Sequence, residues 1–319
     1  MTPVSAVLAT RNRLDHLPRA LDEVLTTGVG QVVVVDDSST DGTWAWLTAR
    51  AATEPRLTVL QNPGPRGIAA RAAGVRAAAY PLLLMLDDDS WPDPGALELL
   101  VAHLAASPGT AVVGGLVRDV DPTGAVSADH GPGTFDWWLR VSAPFFFPAC
   151  GALARREAVL AVGSWQDRYG HGGVLELDLT LRLRDAGWSV DYLPAASFTH
   201  MKAPVARPDD GQMLALRVRN GRWYAYLNAP GPLPWTRSLA PLLVDLVLGL
   251  VKGHPGAVTT GLRRAWTDRA TVTGGRRPVA AATWRAVERP RARRHLELLT
   301  AQARGLRARR PSTTAGPPG

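Results

Sequence analysis

Residues 31–47 read QVVVVDDSSTDGTWAWL: four consecutive valines run into two carboxylates, a Ser-Ser turn and a helix opening at Thr43. Four β-branched residues without polar alternation predict a strand covered on both faces, the mark of a parallel sheet between helices. The same unit recurs on either side. VSAVLA (4–9) is a strand, followed by a helix over 14–26 with apolar residues at Leu14, Leu17, Leu21, Val24 and Leu25. RLTVLQN (56–62) is a third strand, Gly67–Ala79 an Ala-rich helix, and PLLLMLDDD (81–89) a fourth strand ending in three carboxylates. Strands alternating with helices through right-handed crossovers make a doubly wound α/β domain.

Beyond this the pattern is less regular. Residues 110–150 are rich in Gly and aromatics, with FDWW at 135–138 and FFF at 145–147. LELDLTLRL (175–183) alternates like a strand, but its good helix formers and the Gly187 stop favour a helix, with a strand following to about 193. A further helix is expected from Asp209 to Leu227. SLAPLLVDLVLGLV (238–251) is the most apolar stretch; its length and Asp245 argue against a span, leaving a core or an interfacial helix. The expected division is a catalytic domain at 1–232, an apolar helical segment at 233–262 and an Arg-rich tail at 263–319. The last dozen residues, ending PSTTAGPPG, are expected to be disordered.

Of 319 residues, 46% are hydrophobic and 20% charged, as in a packed soluble chain. The net charge of +8 is unevenly placed. From Gly261 onward there are 14 Arg and 3 acids, so that segment carries +11 and the preceding 260 residues −3. A slightly acidic body offers no basic groove, and no nucleic-acid partner is expected. A basic C-terminus can still visit an anionic membrane surface. One cysteine, Cys150, excludes an intramolecular disulfide and a Cys-only zinc site. The N-terminus lacks a basic stretch followed by a long apolar run, so a cytoplasmic protein is expected, peripheral at the inner face of the plasma membrane if the C-terminus docks there.

In an open α/β sheet, ligands bind at the carboxyl ends of the strands. Three strands here end in polar clusters: Thr10-Arg11-Asn12-Arg13, Asp36-Asp37-Ser38-Ser39 and Asp87-Asp88-Asp89. Five carboxylates on one edge repel one another unless a cation joins them, and a divalent metal shared with substrate phosphates resolves this. Ser39 and Asp41 read as turn and helix-cap residues. No GxGxxG follows the first strand and no GxxxxGK[ST] occurs, which excludes dinucleotide and P-loop sites. An aspartyl-phosphatase DxDxT is broken by Ser38, and a response-regulator reading leaves the second acidic cluster unexplained.

The run VSAVLATRNR…LPRALDEVL…QVVVVDDSSTDGTWAWL resembles the start of a family 2 glycosyltransferase. The resemblance continues through GIAARAAGVRAAAYPLLLMLDDDSWPDPGALELL, with a strand-terminal DxD at Asp87 and Asp89. It runs on through ACGALARREAVLAVGSW (149–165), YGHGGVLELDLTLRLRDAGWSVDYLP (169–194), FTH (198–200) and VRNGRWYAYL (218–227). It covers residues 4–228 and looks most like actinobacterial members of unassigned substrate. It implies the GT-A fold: a Rossmann-like α/β/α sandwich with a mostly parallel central sheet, here with C-terminal helices and a basic tail.

The resemblance also implies roles. Thr10, Asp36 and Asp37 hold the base and ribose of a nucleotide-diphosphate sugar. Arg11 stands where the family often has an aromatic, and its guanidinium can stack on a base. Arg71 meets the diphosphate, Asp87 or Asp88 contacts ribose and a metal-bound water, and Asp89 with His200 holds Mg2+ or Mn2+. The general base is Glu176, with Asp178 next; Val174 and Leu175 occupy places where family members often carry acids. Trp91, Trp137, Trp138 and Trp165 lie in regions that border the acceptor. The expected function is therefore metal-dependent, inverting glycosyl transfer to a sugar, lipid-linked or small-molecule acceptor. A degenerate domain that only binds nucleotide-sugar is the alternative, and a nucleotidyltransferase would need a Gly-rich basic loop that TRNRLDHL does not supply.

Overall fold

The computed structural model describes residues 3–308 apart from 66, 122, 127–130, 132 and 202–208. The four apolar runs form β1 (Val4–Thr10), β2 (Gln31–Asp36), β3 (Leu57–Gln61) and β4 (Leu82–Met85). They pair in parallel, with β1 between β2 and β4 and β3 outside β2. The helices α1 (Leu17–Thr26), α2 (Thr43–Ala51) and α3 (Ile68–Ala77) connect them.

The remaining elements are β5 (Ser90–Pro92), α4 (Ala96–Ala106), β6 (Thr110–Val120), α5 (Phe135–Leu139), β7 (Ala152–Arg155), α6 (Arg156–Ala161), α7 (Leu175–Asp185) and β8 (Ser189–Met201). After them come α8 (Asp210–Asn228), α9 (Leu239–Val251), α10 (Pro255–Thr267) and α11 (Ala281–Ala308). The sheet has eight strands in the order β3-β2-β1-β4-β7-β6-β8-β5. β7 runs antiparallel to both neighbours, and β5 is antiparallel to β8.

Strand periodicity divides the core. Val4, Ala6, Leu8, Val32 and Val34 face α1, α2 and α4 on one side. Val7, Val33, Val35, Leu83 and Met85 face α3, α6 and α7 on the other. The result is the α/β/α sandwich expected from the sequence. At Gly74 of α3 a Cβ would lie 2.6 Å from Val7 Cγ1, so only glycine lets this helix approach the sheet so closely.

Two regions depart from the sequence reading. Residues 110–120, expected to be irregular, form the eleven-residue β6. Gly114 and Gly115 weaken its strand signature, yet a Cβ on Gly115 would sit 2.4 Å from the Ala196 carbonyl, and the pairing with β8 shifts register there.

The Arg-rich C-terminus does not behave as a tail through residue 308. α11 buries Trp284 and Val287 in a third apolar cluster with Leu177 and Leu181 of α7 and Trp223 of α8. The boundary drawn at 263 therefore cuts through packed structure, because α10 also locks onto α8 where a Cβ at Gly261 would lie 2.6 Å from Val218 Cβ. Residues from Arg309 onward, where disorder was expected, lie outside the described residues.

Candidate active site

β1, β2 and β4 end at one edge of the sheet and deliver their polar termini to a cavity of about 1240 Å3. Thr10, Arg11, Asp37, Asp87, Asp88, Asp89, Glu176 and His200 all line it. Asp37 is held in place by Asn62 Nδ2 and by the Gly67 amide, each 2.8 Å from a carboxylate oxygen.

Two expected donor contacts are corrected. Asp36 is fully buried and is not on the cavity wall; one oxygen accepts from the Ser39 amide and Gln61 Nε2 inside the fold. Arg71 is also buried and off the wall. Its guanidinium stacks over Trp165 and donates to the Ala149 carbonyl at 2.6 Å and to Asp87 Oδ1 at 2.5 Å. It neutralises Asp87 from behind rather than reaching into the cavity.

The three aspartates divide their labour. Asp88 turns toward β1, accepting from Thr10 Oγ1 at 2.8 Å with Arg13 Nε 3.6 Å away. Burial and the Asp89 charge push its pKa up to about 7, against Arg13 and the Thr10 hydrogen bond. Asp87 and Asp89 converge with His200, their ligand atoms all within 4.8 Å of one another. His200 Nδ1 lies 2.7 Å from Asp119 Oδ1 on β6, while buried Nε2 lies 3.1 Å from Asp89 Oδ1 without hydrogen-bond geometry. Burial presses the imidazole toward neutrality, but Asp119 and Asp89 outweigh it and raise its pKa to about 9.

Glu176 and Asp178 both sit in the first turn of α7. Two residues along a helix is about 200° of rotation, so the pair faces opposite ways. Asp178 is therefore corrected as a candidate base. It is buried and off the cavity wall, accepting from Tyr169 Oη at 2.9 Å and Asn228 Nδ2 at 2.8 Å and pairing with Arg182 at 2.7 Å. Glu176 faces the cavity, where burial raises its pKa; the Arg71 charge opposes this and the Asp87 charge adds to it.

The Gly-rich loop before Glu176 is fixed by α8. Asn220 Nδ2 lies within hydrogen-bond distance of the carbonyls of Tyr169, His171 and Gly172, and Arg219 reaches the Tyr169 carbonyl.

On the far wall Trp138 was expected from the sequence, whereas Arg217, Arg291 and His295 were not. Trp138, Phe145 and Phe146 meet Arg217 of α8 and Arg291 and His295 of α11 there. Arg217 pairs with Asp245 at 2.7 Å, Arg291 with Glu288 at 3.0 Å, and Arg217 Nη2 lies 3.3 Å from His295 Nε2. Burial and the two guanidiniums lower the His295 pKa to about 2, so this imidazole is neutral. Of the four tryptophans considered, only Trp138 lines the cavity; Trp91 and Trp165 are buried in the sheet cores.

The two α7 carboxylates separate experimentally. Asp178→Ala strands Arg182 and should cost about 3–5 kcal/mol in urea unfolding, whereas Glu176→Gln removes a carboxylate that burial disfavours and should leave stability unchanged or slightly raised.

Known proteins agree with this architecture. The family model described as glycosyl transferase family 2 matches residues 5–161. An uncharacterised glycosyltransferase of Mycobacterium tuberculosis is 34% identical over 196 residues, covering 59% of this chain and 81% of that protein. The N-acetylglucosaminyl-diphospho-decaprenol L-rhamnosyltransferase of the same species is 26% identical over 283 residues, covering 74% of this chain and 90% of the relative. A mannosyltransferase from Pyrobaculum calidifontis, solved in complex with GDP-Man and Mn2+, superposes with a TM-score of 0.56 at 20% identity, covering 97% of this chain and 88% of its own. That likeness speaks for the fold, and the identity to the mycobacterial relative over four-fifths of its length speaks for descent: this chain is a glycosyltransferase of family 2, built on the GT-A fold.

Proposed function

We propose that the protein transfers a sugar from a nucleotide-diphosphate donor to an acceptor hydroxyl with inversion, using a divalent cation held by Asp87, Asp89 and His200. The observation that carries this reading is the convergence of Asp87, Asp89 and the buried His200 on the cavity wall, with ligand atoms within 4.8 Å of one another. Two hard oxygens and one imidazole suit Mn2+ or Mg2+. When bound, such an ion supplies Lewis-acid stabilisation of the charge gathering on the departing diphosphate.

The chain's own groups do the rest. Asp37 and Thr10 border the nucleotide end of the cavity, and Arg11 offers a planar cation to the base. Glu176 takes the proton of the acceptor hydroxyl as its oxygen bonds the anomeric carbon. The bond from that carbon to the diphosphate oxygen breaks on the opposite side, and the electron pair leaves with the nucleoside diphosphate. Trp138, Phe145 and Phe146 give the acceptor an aromatic wall suited to a sugar face or a lipid chain. A lipid-linked acceptor is favoured by the likeness to an enzyme whose name specifies a decaprenol diphosphate substrate.

Asp119 positions His200. A carboxylate on Nδ1 would keep a proton there while the Nε2 proton, now beside Asp89, gives way to a cation, the arrangement that metal-binding histidines use. Asp119→Asn should weaken Mn2+ binding about 10–100-fold, read by calorimetry on the protein without nucleotide. Unchanged affinity would remove Asp119 from the site.

Glu176→Gln should leave donor binding intact and slow transfer roughly 10²–10⁴-fold. The base works deprotonated and burial raises its pKa, so kcat/KM of the wild type should fall on acidification at a pH above the ordinary glutamate range. Wild-type rates in Glu176→Gln would move the base elsewhere, and release of pyrophosphate instead of nucleoside diphosphate would overturn the reaction class.

A further inference from the structure

α9 is apolar on both sides. Its inner face, with Val244, Leu248 and Gly249, packs on α8 and α10, and there Asp245 pairs with Arg217. Its outer face has no cover among the described residues: Leu239, Leu243, Leu246 and Leu250 are 55%, 63%, 44% and 63% exposed. Their spacing of four, three and four residues sets them in one stripe along the helix.

The continuous helical stretch Pro234–Val251 is long and apolar enough by composition to cross a bilayer, with a mean hydropathy of 1.3. A spanning role conflicts with the packed inner face, because it would pull the Asp245–Arg217 pair out of the protein and into lipid. A helix with one side on protein and one side bare lies along an interface instead.

We propose that the outer face of α9 docks the protein on an anionic phospholipid surface. Charge complementarity selects this occupant. Residues 233–280 hold seven Lys or Arg and two acids, one of them the buried Asp245, whereas the first 260 residues together carry −3. Lys252 ends the stripe, and Arg263 and Arg264 are exposed on the adjoining α10. Trp266 is 68% exposed with the Arg269 guanidinium 4.3 Å above its ring, a pairing of aromatic and cation suited to a headgroup layer.

The surface is also coupled to the cavity. Arg217 and Asp210 of α8 line the cavity and pair with Asp245 of α9 and Lys252 just after it. A bilayer under α9 would thus be one helix away from the cavity wall, which suits a lipid-linked acceptor on the catalytic reading above. The docking element is the leucine face of α9, with the basic residues around it, rather than a free Arg-rich tail.

The test is flotation of the full chain with phosphatidylcholine vesicles, with and without phosphatidylglycerol, in the absence of nucleotide and metal. The wild type should bind, preferring the anionic vesicles. Replacing Leu239, Leu243, Leu246 and Leu250 together by Ser should reduce binding at least ~10-fold, and Arg263→Gln with Arg264→Gln should remove the preference for phosphatidylglycerol. If the fourfold variant does not fold, Leu243→Asp alone reads the same face and should lose binding. Equal flotation of wild type and leucine variants overturns the proposal. So does a wild-type dimer in sedimentation that the leucine variant dissolves with no vesicle binding by either, which would assign the face to a second copy. Vesicle binding needs neither donor nor metal, so its failure is distinct from failure of the catalytic reading.

Discussion

The arrangement depends on carboxylates being held together at one edge of the sheet. Asp87, Asp88 and Asp89 leave β4 in succession, Asp37 joins them from β2 and Asp119 from β6. Such a cluster is repulsive unless each member is answered. Arg71 answers Asp87 from beneath, Thr10 and Arg13 answer Asp88, and His200 stands between Asp89 and Asp119. Burial first and the Asp89 charge second raise the pKa of Asp88, while Asp119 and Asp89 raise that of His200 against its burial. Asp87, Asp89 and Nε2 of His200 converge at one point of this edge, and it is there that the proposed function puts the cation.

Around this edge the rest of the fold acts as scaffold. α8 is the hub. Its Asn220 and Arg219 fix the loop before Glu176, its Arg217 and Asp210 reach the cavity, and the same two residues hold α9 in place. α10 presses against α8 through Gly261, and α11 closes the third cluster over α7 and α8. Glu176, the aromatic wall and the exposed leucine face are thus connected through one nineteen-residue helix.

What the sequence could say follows from how strongly each element marks itself. β1, β2 and β4 are runs of β-branched or Leu residues ending in Asp, and both fold and acidic edge could be read from them. The period of two at a strand end already meant that Asp36 and Asp37 would point apart, and only Asp37 reaches the cavity. The helical choice for 175–185 likewise separates Glu176 from Asp178. β6 escaped because Gly114 and Gly115 interrupt it, and Asp119 escaped with it. α11 escaped for a different reason: its buried stripe is Trp284, Val287, Arg291, His295 and Leu298, so two of five inward positions are polar and Pro290 interrupts the run. Helical spacing was present there, but hydrophobicity was not, and an Arg-rich composition reads as solvated tail.

On the proposed function the acidic edge binds a nucleoside diphosphate through a metal. Thermal unfolding of the wild type and of Asp89→Ala, against UDP, GDP, dTDP and CDP with and without Mn2+, tests it most directly. One nucleotide should raise the wild-type melting temperature only when Mn2+ is present, by an amount equivalent to about 2.7 kcal/mol at a hundredfold excess over Kd, and Asp89→Ala should abolish the rise. A rise of equal size without metal, or in Asp89→Ala, would contradict it, as would the absence of a response to all four nucleotides.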